Sequence, residues 1–237
     1  MPDAALLYLH GGGYITGSPR THLAMVGKLA RRAKLRAVIP EYRRAPEFPF
    51  PAAFEDALSA WKGLRKTGLR PESIVIGGDS AGGGLALALL AFLLSSGERP
   101  AGLFAFSPWT DMTLSGKSLS ENARSDVILP VERIGELREL VAPGADFSDP
   151  RLSPLFARFD GAPPILLQAS ESEILRDDTL RLEAKLRASG VDVRVELWPD
   201  TPHAWQLFCG WLPEADDALE QAADFAVGRL RSLRPRS

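Results

Sequence analysis

This sequence predicts an α/β domain built on a mainly parallel sheet, with helices on both faces. Three observations carry the prediction: short apolar runs recur along the chain, patterns with helical spacing separate them, and Gly and Pro punctuate the joints. Strands that alternate with helices imply parallel pairing and a sheet covered on both sides. At 237 residues the chain suits one domain with a sizeable core rather than two large ones.

The elements follow in order. Residues 4–9 are apolar and end in a glycine cluster, as a buried strand does. Residues 18–34 have helical spacing, with Leu23, Val26, Leu29 and Ala30 on one face. Residues 36–40 form the next strand. Pro49 and Pro51 then interrupt the chain before a helix over about 52–65, which Gly68 and Pro71 end. A β-branched strand at 73–77 precedes an Ala- and Leu-rich helix at 83–94, and 103–107 is another short strand.

Residues 109–163 differ: they are polar and irregular, with one helical pattern at Val131–Val141. An insertion of that length serves as a lid or a pocket wall, so shortening it should change substrate preference more than chemistry. Alternation resumes with a strand at 165–169, a helix at 178–189, a strand at Val193–Trp198 and a helix over about 214–233. Gly190 stands where a helix C-cap belongs.

Composition excludes several classes. A net charge of −2 offers no electrostatic case for nucleic acid or an anionic membrane. Arg31, Arg32, Lys34 and Arg36 read as a solvated helix end, and Arg229, Arg231, Arg234 and Arg236 as a helix C-terminus and tail. The single cysteine, Cys209, allows no intramolecular disulfide and has no partners at zinc-ligand spacing. With no signal-peptide pattern and no apolar run of membrane-spanning length, a cytoplasmic protein is expected.

The chemistry concentrates where strands end, because ligands of such sheets bind at the carboxyl ends of the strands. Gly78-Asp79-Ser80-Ala81-Gly82 lies on a strand-to-helix corner. Its small residues permit a sharp turn, and a serine there points its hydroxyl into a cleft as a nucleophile. His10-Gly11-Gly12-Gly13 follows the first strand, and its glycines let backbone N–H groups turn toward developing negative charge. A phosphate-binding loop is the other use of such a run, but the Lys-Ser/Thr of a P-loop and the spaced glycines of a dinucleotide fold are missing. The N–H of Ala81 would add a further donor.

Only His10, His22 and His203 can supply a general base. His10 belongs to the glycine loop, and His22 lies in a helical pattern that suggests exposure. His203 follows a strand through a Pro199…Pro202 loop, and the order Ser…acid…His fits hydrolytic triads. The acid should lie after the 165–169 strand, where Glu171, Glu173, Asp177 and Asp178 compete; capping alone would explain Asp177 or Asp178. Spacing leaves the four open.

His10-Gly11-Gly12-Gly13-Tyr14, Tyr42-Arg43-Arg44-Ala45-Pro46-Glu47, Gly78-Asp79-Ser80-Ala81-Gly82-Gly83 and Pro202-His203 stand in the order of a known family's landmarks. By these motifs the chain resembles the hormone-sensitive-lipase-like carboxylesterases of the α/β-hydrolase fold, from Ala4 nearly to its C-terminus. That family's acid opens an Asp-Pro-Leu-Arg-Asp-like segment. Laid onto Glu173-Ile174-Leu175-Arg176-Asp177, the resemblance implies Glu173 as the acid, with Asp177 the runner-up at a helix start. It further implies Ser80 as nucleophile, His203 as base, and the N–H groups of Gly12, Gly13 and Ala81 as an oxyanion hole.

Asp79 and Glu47 look like structural residues of the pocket walls. Tyr14, Trp109, Trp205 and Phe208 are the aromatics nearest the motifs and are expected to line the pocket, with core packing as their other use. The implied activity is hydrolysis of short- to medium-chain carboxylic esters with no cofactor or metal. The same machinery would serve a lactonase or an amidase, and a non-catalytic binding member of the fold is opposed by retention of Ser80, a carboxylate and His203. Family members usually carry an N-terminal extension that supplies cap helices and the first strands. This sequence starts at the strand before His10, so a more open site is expected, with apolar surface that would suit a homo-oligomer.

Overall fold

Short apolar runs bounded by turns cannot cover one face of a helix, so they pair sideways instead. The computed structural model describes residues 3–232. Six runs form one sheet: β1 (Ala5–Leu9), β2 (Arg36–Val38), β3 (Ile74–Asp79), β4 (Gly102–Phe106), β5 (Ile165–Ser170) and β6 (Val193–Trp198). Their order is β2-β1-β3-β4-β5-β6 and every neighbouring pair is parallel. Parallel neighbours require crossovers, which the helices supply. These are α1 (Leu23–Ala33), α2 (Ala52–Lys66), α3 (Ser80–Ser95), α4 (Ser118–Glu121), α5 (Val131–Val141), α6 (Arg176–Ala188) and α7 (Pro213–Ser232).

Side chains alternate between two cores with the period of a strand. Leu7, Leu9, Ile74, Ile76, Leu103 and Leu167 enter one core, with Trp61 of α2 and Leu85 of α3. Leu6, Tyr8, Val75, Phe104, Phe106 and Leu166 enter the other, with Leu29 of α1 and Leu219 of α7. The predicted α/β class is the observed one. Because every strand runs the same way, the β1, β3, β5 and β6 exits gather at one end of the sheet. Those exits lead to the glycine loop, Ser80, the acidic segment and His203.

Several boundaries moved for physical reasons. The first helix starts at Leu23 rather than 18, because Ser18 and Thr21 close a turn on each other (Thr21 Oγ1 donates to Ser18 O at 2.8 Å). Such hydroxyls compete with helical backbone bonding. The helix expected from residue 83 begins at Ser80, leaving no linker after β3. α6 begins at Arg176, so Asp177 and Asp178 both fall in its first turn. The expected end of the last helix at Leu233, with Arg234 and Arg236, lies outside the described residues. Among the described residues no helix is long and apolar enough to cross a membrane.

Candidate active site

The corner between β3 and α3 is built by what its glycines omit. A Cβ at Gly82 would collide with the carbonyl oxygens of Leu9 and His10, and one at Gly78 with the Gly82 carbonyl. With both absent, the corner presses against the end of β1. Ser80 itself has a φ of +51°, left-handed backbone that a non-glycine residue rarely adopts. Such strain persists only where the surroundings hold it. Ala81, in the first turn of α3, carries one of the N–H groups that a helix start leaves without an intrahelical acceptor.

His203 Nε2 lies 2.9 Å from Ser80 Oγ. On the other side of the ring, Nδ1 lies 2.5 Å from Glu173 Oε2. A carboxylate can only accept, so Nδ1 carries the hydrogen and Nε2 is left to accept from the serine. The Ser170 N–H donates to the other Glu173 oxygen at 3.2 Å. The base and the carboxylate are both buried, at 5% and 1% exposure, and screening by water is therefore weak. Burial alone would lower the His203 pKa, but the charge and hydrogen bond of Glu173 outweigh it and hold the pKa above the ordinary 6.5. The His203 loop is pinned in turn: Ser170 Oγ donates to Thr201 O at 2.5 Å and the Ala204 N–H to Ser107 Oγ at 3.1 Å.

The other three acidic candidates lie elsewhere. Asp177 Oδ2 accepts the N–H groups of Lys117 (2.9 Å) and Ser118 (3.2 Å). Asp178 accepts those of Thr110 (2.7 Å) and Asp111 (2.9 Å), and its complete burial pushes its pKa up to about 7. Glu171 is exposed.

The glycine loop faces Ser80 from the end of β1. Gly12 and Gly13 have φ of +114° and +60°, and their N–H groups have no acceptor among the described residues. The loop is anchored from below by Asp79, whose Oδ1 accepts Tyr8 Oη (2.9 Å) and the Gly11 N–H (3.0 Å). Asp79 Oδ2 lies 3.2 Å from His22 Nε2. A Cβ at Gly11 would strike the Asp79 carboxylate, so only glycine permits this grip. Burial would lower the His22 pKa, yet the hydrogen bond and charge of Asp79 raise it on balance. His10 stacks on Tyr42 (4.1 Å between centroids), which donates to the His10 carbonyl at 2.7 Å. Burial lowers the His10 pKa and favours its neutral form.

A cavity of about 600 Å³ opens over Ser80 and His203. Its walls are mostly apolar, with Trp109, Leu129, Ile134 and Leu137 on the insertion side and Leu207 and Phe208 on the His203 side. Trp109 and Phe208 line this cavity. Tyr14 and Trp205 do not. Tyr14 has a φ of +61° and turns into the sheet core beneath the loop. Trp205 is fully buried against Trp198 and donates to Glu214 O at 3.2 Å. Glu47 is exposed beside Arg43 and Arg44, on a surface that meets this cavity at Ile15, Thr16 and Gly17, and does not line the cavity itself. His22, expected at the surface, is 4% exposed, because its partner is the distant Asp79. Helical periodicity carries no signal for that pairing. No group of three or more His, Cys, Asp or Glu side chains among the described residues is placed to hold a metal ion.

Residues 6–207 match the family of the alpha/beta hydrolase fold. An esterase of Acinetobacter venetianus is 37% identical over 224 residues, spanning 94% of this chain and 74% of the relative. An acetyl-hydrolase of Streptomyces hygroscopicus is 38% identical over 221 residues, spanning 93% and 74%. The crystal structure of an esterase from the bacterial hormone-sensitive lipase family superposes with a TM-score of 0.93 at 42% identity, over 96% of this chain and 77% of that one. With these matches and the site geometry together, the chain belongs to the hormone-sensitive-lipase-like carboxylesterase branch of the α/β-hydrolases.

Proposed function

We propose that this protein is a serine carboxylesterase that hydrolyses short- to medium-chain carboxylic esters through an acyl-enzyme. The observation that carries the reading is the buried chain from Ser80 Oγ to His203 Nε2 (2.9 Å) and from His203 Nδ1 to Glu173 Oε2 (2.5 Å). Ser80 attacks the ester carbonyl while His203 takes its proton, and Glu173 keeps Nδ1 protonated and stabilises the imidazolium. The former carbonyl oxygen becomes an oxyanion, which the N–H groups of Gly12, Gly13 and Ala81 receive. His203 then protonates the leaving alcohol. A water that gives its proton to His203 attacks the acyl-enzyme, and His203 passes that proton to Ser80 Oγ as the bond to the acyl carbon breaks and the acid leaves.

The apolar cavity of about 600 Å³ supports an acyl group of modest length. The acetyl-hydrolase name of one relative supports the short end of that range. We read the chain as one catalytic domain in which residues 109–163 cover the site.

The test is a series of p-nitrophenyl esters of rising chain length with wild type, Ser80→Ala and His203→Ala, paired with labelling by a sulfonyl fluoride. Ser80→Ala should lose both turnover and the single label. His203→Ala should lose about 10²–10⁴-fold in kcat, the usual worth of a positioned proton carrier. A Ser80→Ala protein that still took up the label would overturn the nucleophile assignment.

A further inference from the structure

Beside the Ser80–His203–Glu173 chain, one set of contacts is dense. The acid-bearing segment 171–177 is held at nearly every position by 117–126, the first part of the insertion. Asn122 Nδ2 donates to the carbonyls of both Glu171 and Glu173, each at 2.8 Å. Both partners are pure acceptors, so the amide has one allowed orientation and both of its hydrogens are used. Ser125 Oγ lies 2.9 Å from Ser172 O, and Ser118 Oγ donates to Ile174 O at 2.7 Å. Asp126 Oδ2 accepts the Ile174 N–H at 2.9 Å. These bonds reach across the chain to the backbone immediately on either side of the Glu173 side chain.

Asp126 does more than hold Ile174. Its other oxygen, Oδ1, accepts the N–H groups of Ile128 and Leu129, both at 2.9 Å. Ile128, Leu129 and Ile174 all line the cavity over Ser80. One carboxylate therefore ties the acid's backbone to the pocket wall. Insertion and acid form a single frame.

We propose that Asn122 and Asp126 are positioning residues for Glu173, so that the insertion sets the geometry of the triad as well as covering it. This rests on the reading of Glu173 as the acid. It also reverses the expectation that shortening 109–163 would spare the chemistry. A displacement on the order of 1 Å in a catalytic group costs about 10²-fold. Losing either clamp should therefore lower kcat by roughly 10- to 100-fold; losing Asn122, which touches no cavity residue, should do so without altering ester binding.

The experiment compares kcat and KM on p-nitrophenyl acetate and hexanoate for Asn122→Ala and Asp126→Asn, each alone and combined with Glu173→Gln. Circular dichroism melts establish that each protein is folded. Should Asn122→Ala fail to fold, the isosteric Asp126→Asn carries the test. The expected result is an equal fall in kcat on both esters, with KM unchanged for Asn122→Ala, and for both variants no further fall in the Glu173→Gln background, since groups acting through one another are not additive. A loss in Asn122→Ala that grows with chain length and raises KM, or losses in either variant that multiply with Glu173→Gln, would overturn the proposal. If Glu173→Gln is itself fully active, the acid assignment falls and takes the clamp with it. If Glu173→Gln is inactive while Asn122→Ala and Asp126→Asn match wild type, the clamp alone falls.

Discussion

The two loops that face Ser80 are held in opposite ways. The glycine loop is held by neighbours already named in the motifs: Asp79 beside Ser80 grips Gly11, and Tyr42 holds His10. Missing side chains make that contact, since a Cβ at Gly11, Gly12 or Gly82 would strike backbone or carboxylate. The acid segment is held instead by polar side chains from an irregular stretch about fifty residues earlier, Asn122 lying 51 positions before Glu173. The first loop is fixed by hydrogen bonds that form only because side chains are absent, the second by hydrogen bonds that side chains of the insertion supply. The first should therefore fail by unfolding or misfolding, and the second by losing rate while staying folded.

The largest expected effect tests the steric side. Gly82→Ala should cost about 3 kcal/mol or more, because the new methyl meets two backbone carbonyls that cannot move independently of the sheet. Urea denaturation measures it. A variant of wild-type stability would show that the corner has more room than its contacts imply.

The anchor beneath the glycine loop should be electrostatic and pH-dependent. His22 holds its proton more tightly in the folded chain than the ordinary 6.5. Its pairing with Asp79 therefore contributes fully below that pH, and the contribution is lost as pH rises through the elevated folded value. Asp79→Asn should cost about 2 kcal/mol at pH 6, the worth of a charge-assisted hydrogen bond, and less at pH 9. Melting curves of both proteins across that range check it. A penalty that grew with pH would reverse the assignment of charge.

On the acid side, His203 must be neutral to accept a proton, and Glu173 raises its pKa above 6.5. The kcat/KM profile should rise through an acidic limb above that value. Removing the Glu173 charge in Glu173→Gln should shift the limb downward, along with a severe loss of rate. An unmoved limb would detach Glu173 from the titration.

The pocket wall should respond differently from both loops. Leu137 of α5 approaches Gly13, and a Cβ there would sit 3.0 Å from its Cδ2. Leu137→Ala should widen the cavity and move the preference toward longer acyl chains by several-fold in kcat/KM; an ester series reads the shift. The smallest effect belongs to Asp177. Asp177→Asn, in the first turn of α6, should cost about 1 kcal/mol through its bonds to the Lys117 and Ser118 N–H groups at the start of α4, with activity retained.

The strand-helix alternation, the parallel sheet and the positions of Ser80, His203 and the glycine loop were legible in sequence, because each rests on a local rule. Apolar runs of strand length bury themselves in pairs, parallel strands need helical crossovers, and glycines mark where chain meets chain. Of the four aromatics near the motifs, Trp109 and Phe208 line the cavity while Tyr14 and Trp205 turn into the core. Nearness in sequence does not say to which side of a loop a ring turns. The choice among Glu171, Glu173, Asp177 and Asp178 stayed open on spacing for the same reason. Each is a carboxylate after one strand, and only the packed chain shows which one reaches the His203 ring. The burial of His22 and the grip of Asn122 and Asp126 on the acid segment belong wholly to the tertiary structure. A hydrogen bond between residues dozens of positions apart leaves no periodicity, and a polar side chain reads the same in a solvated loop as in a buried clamp.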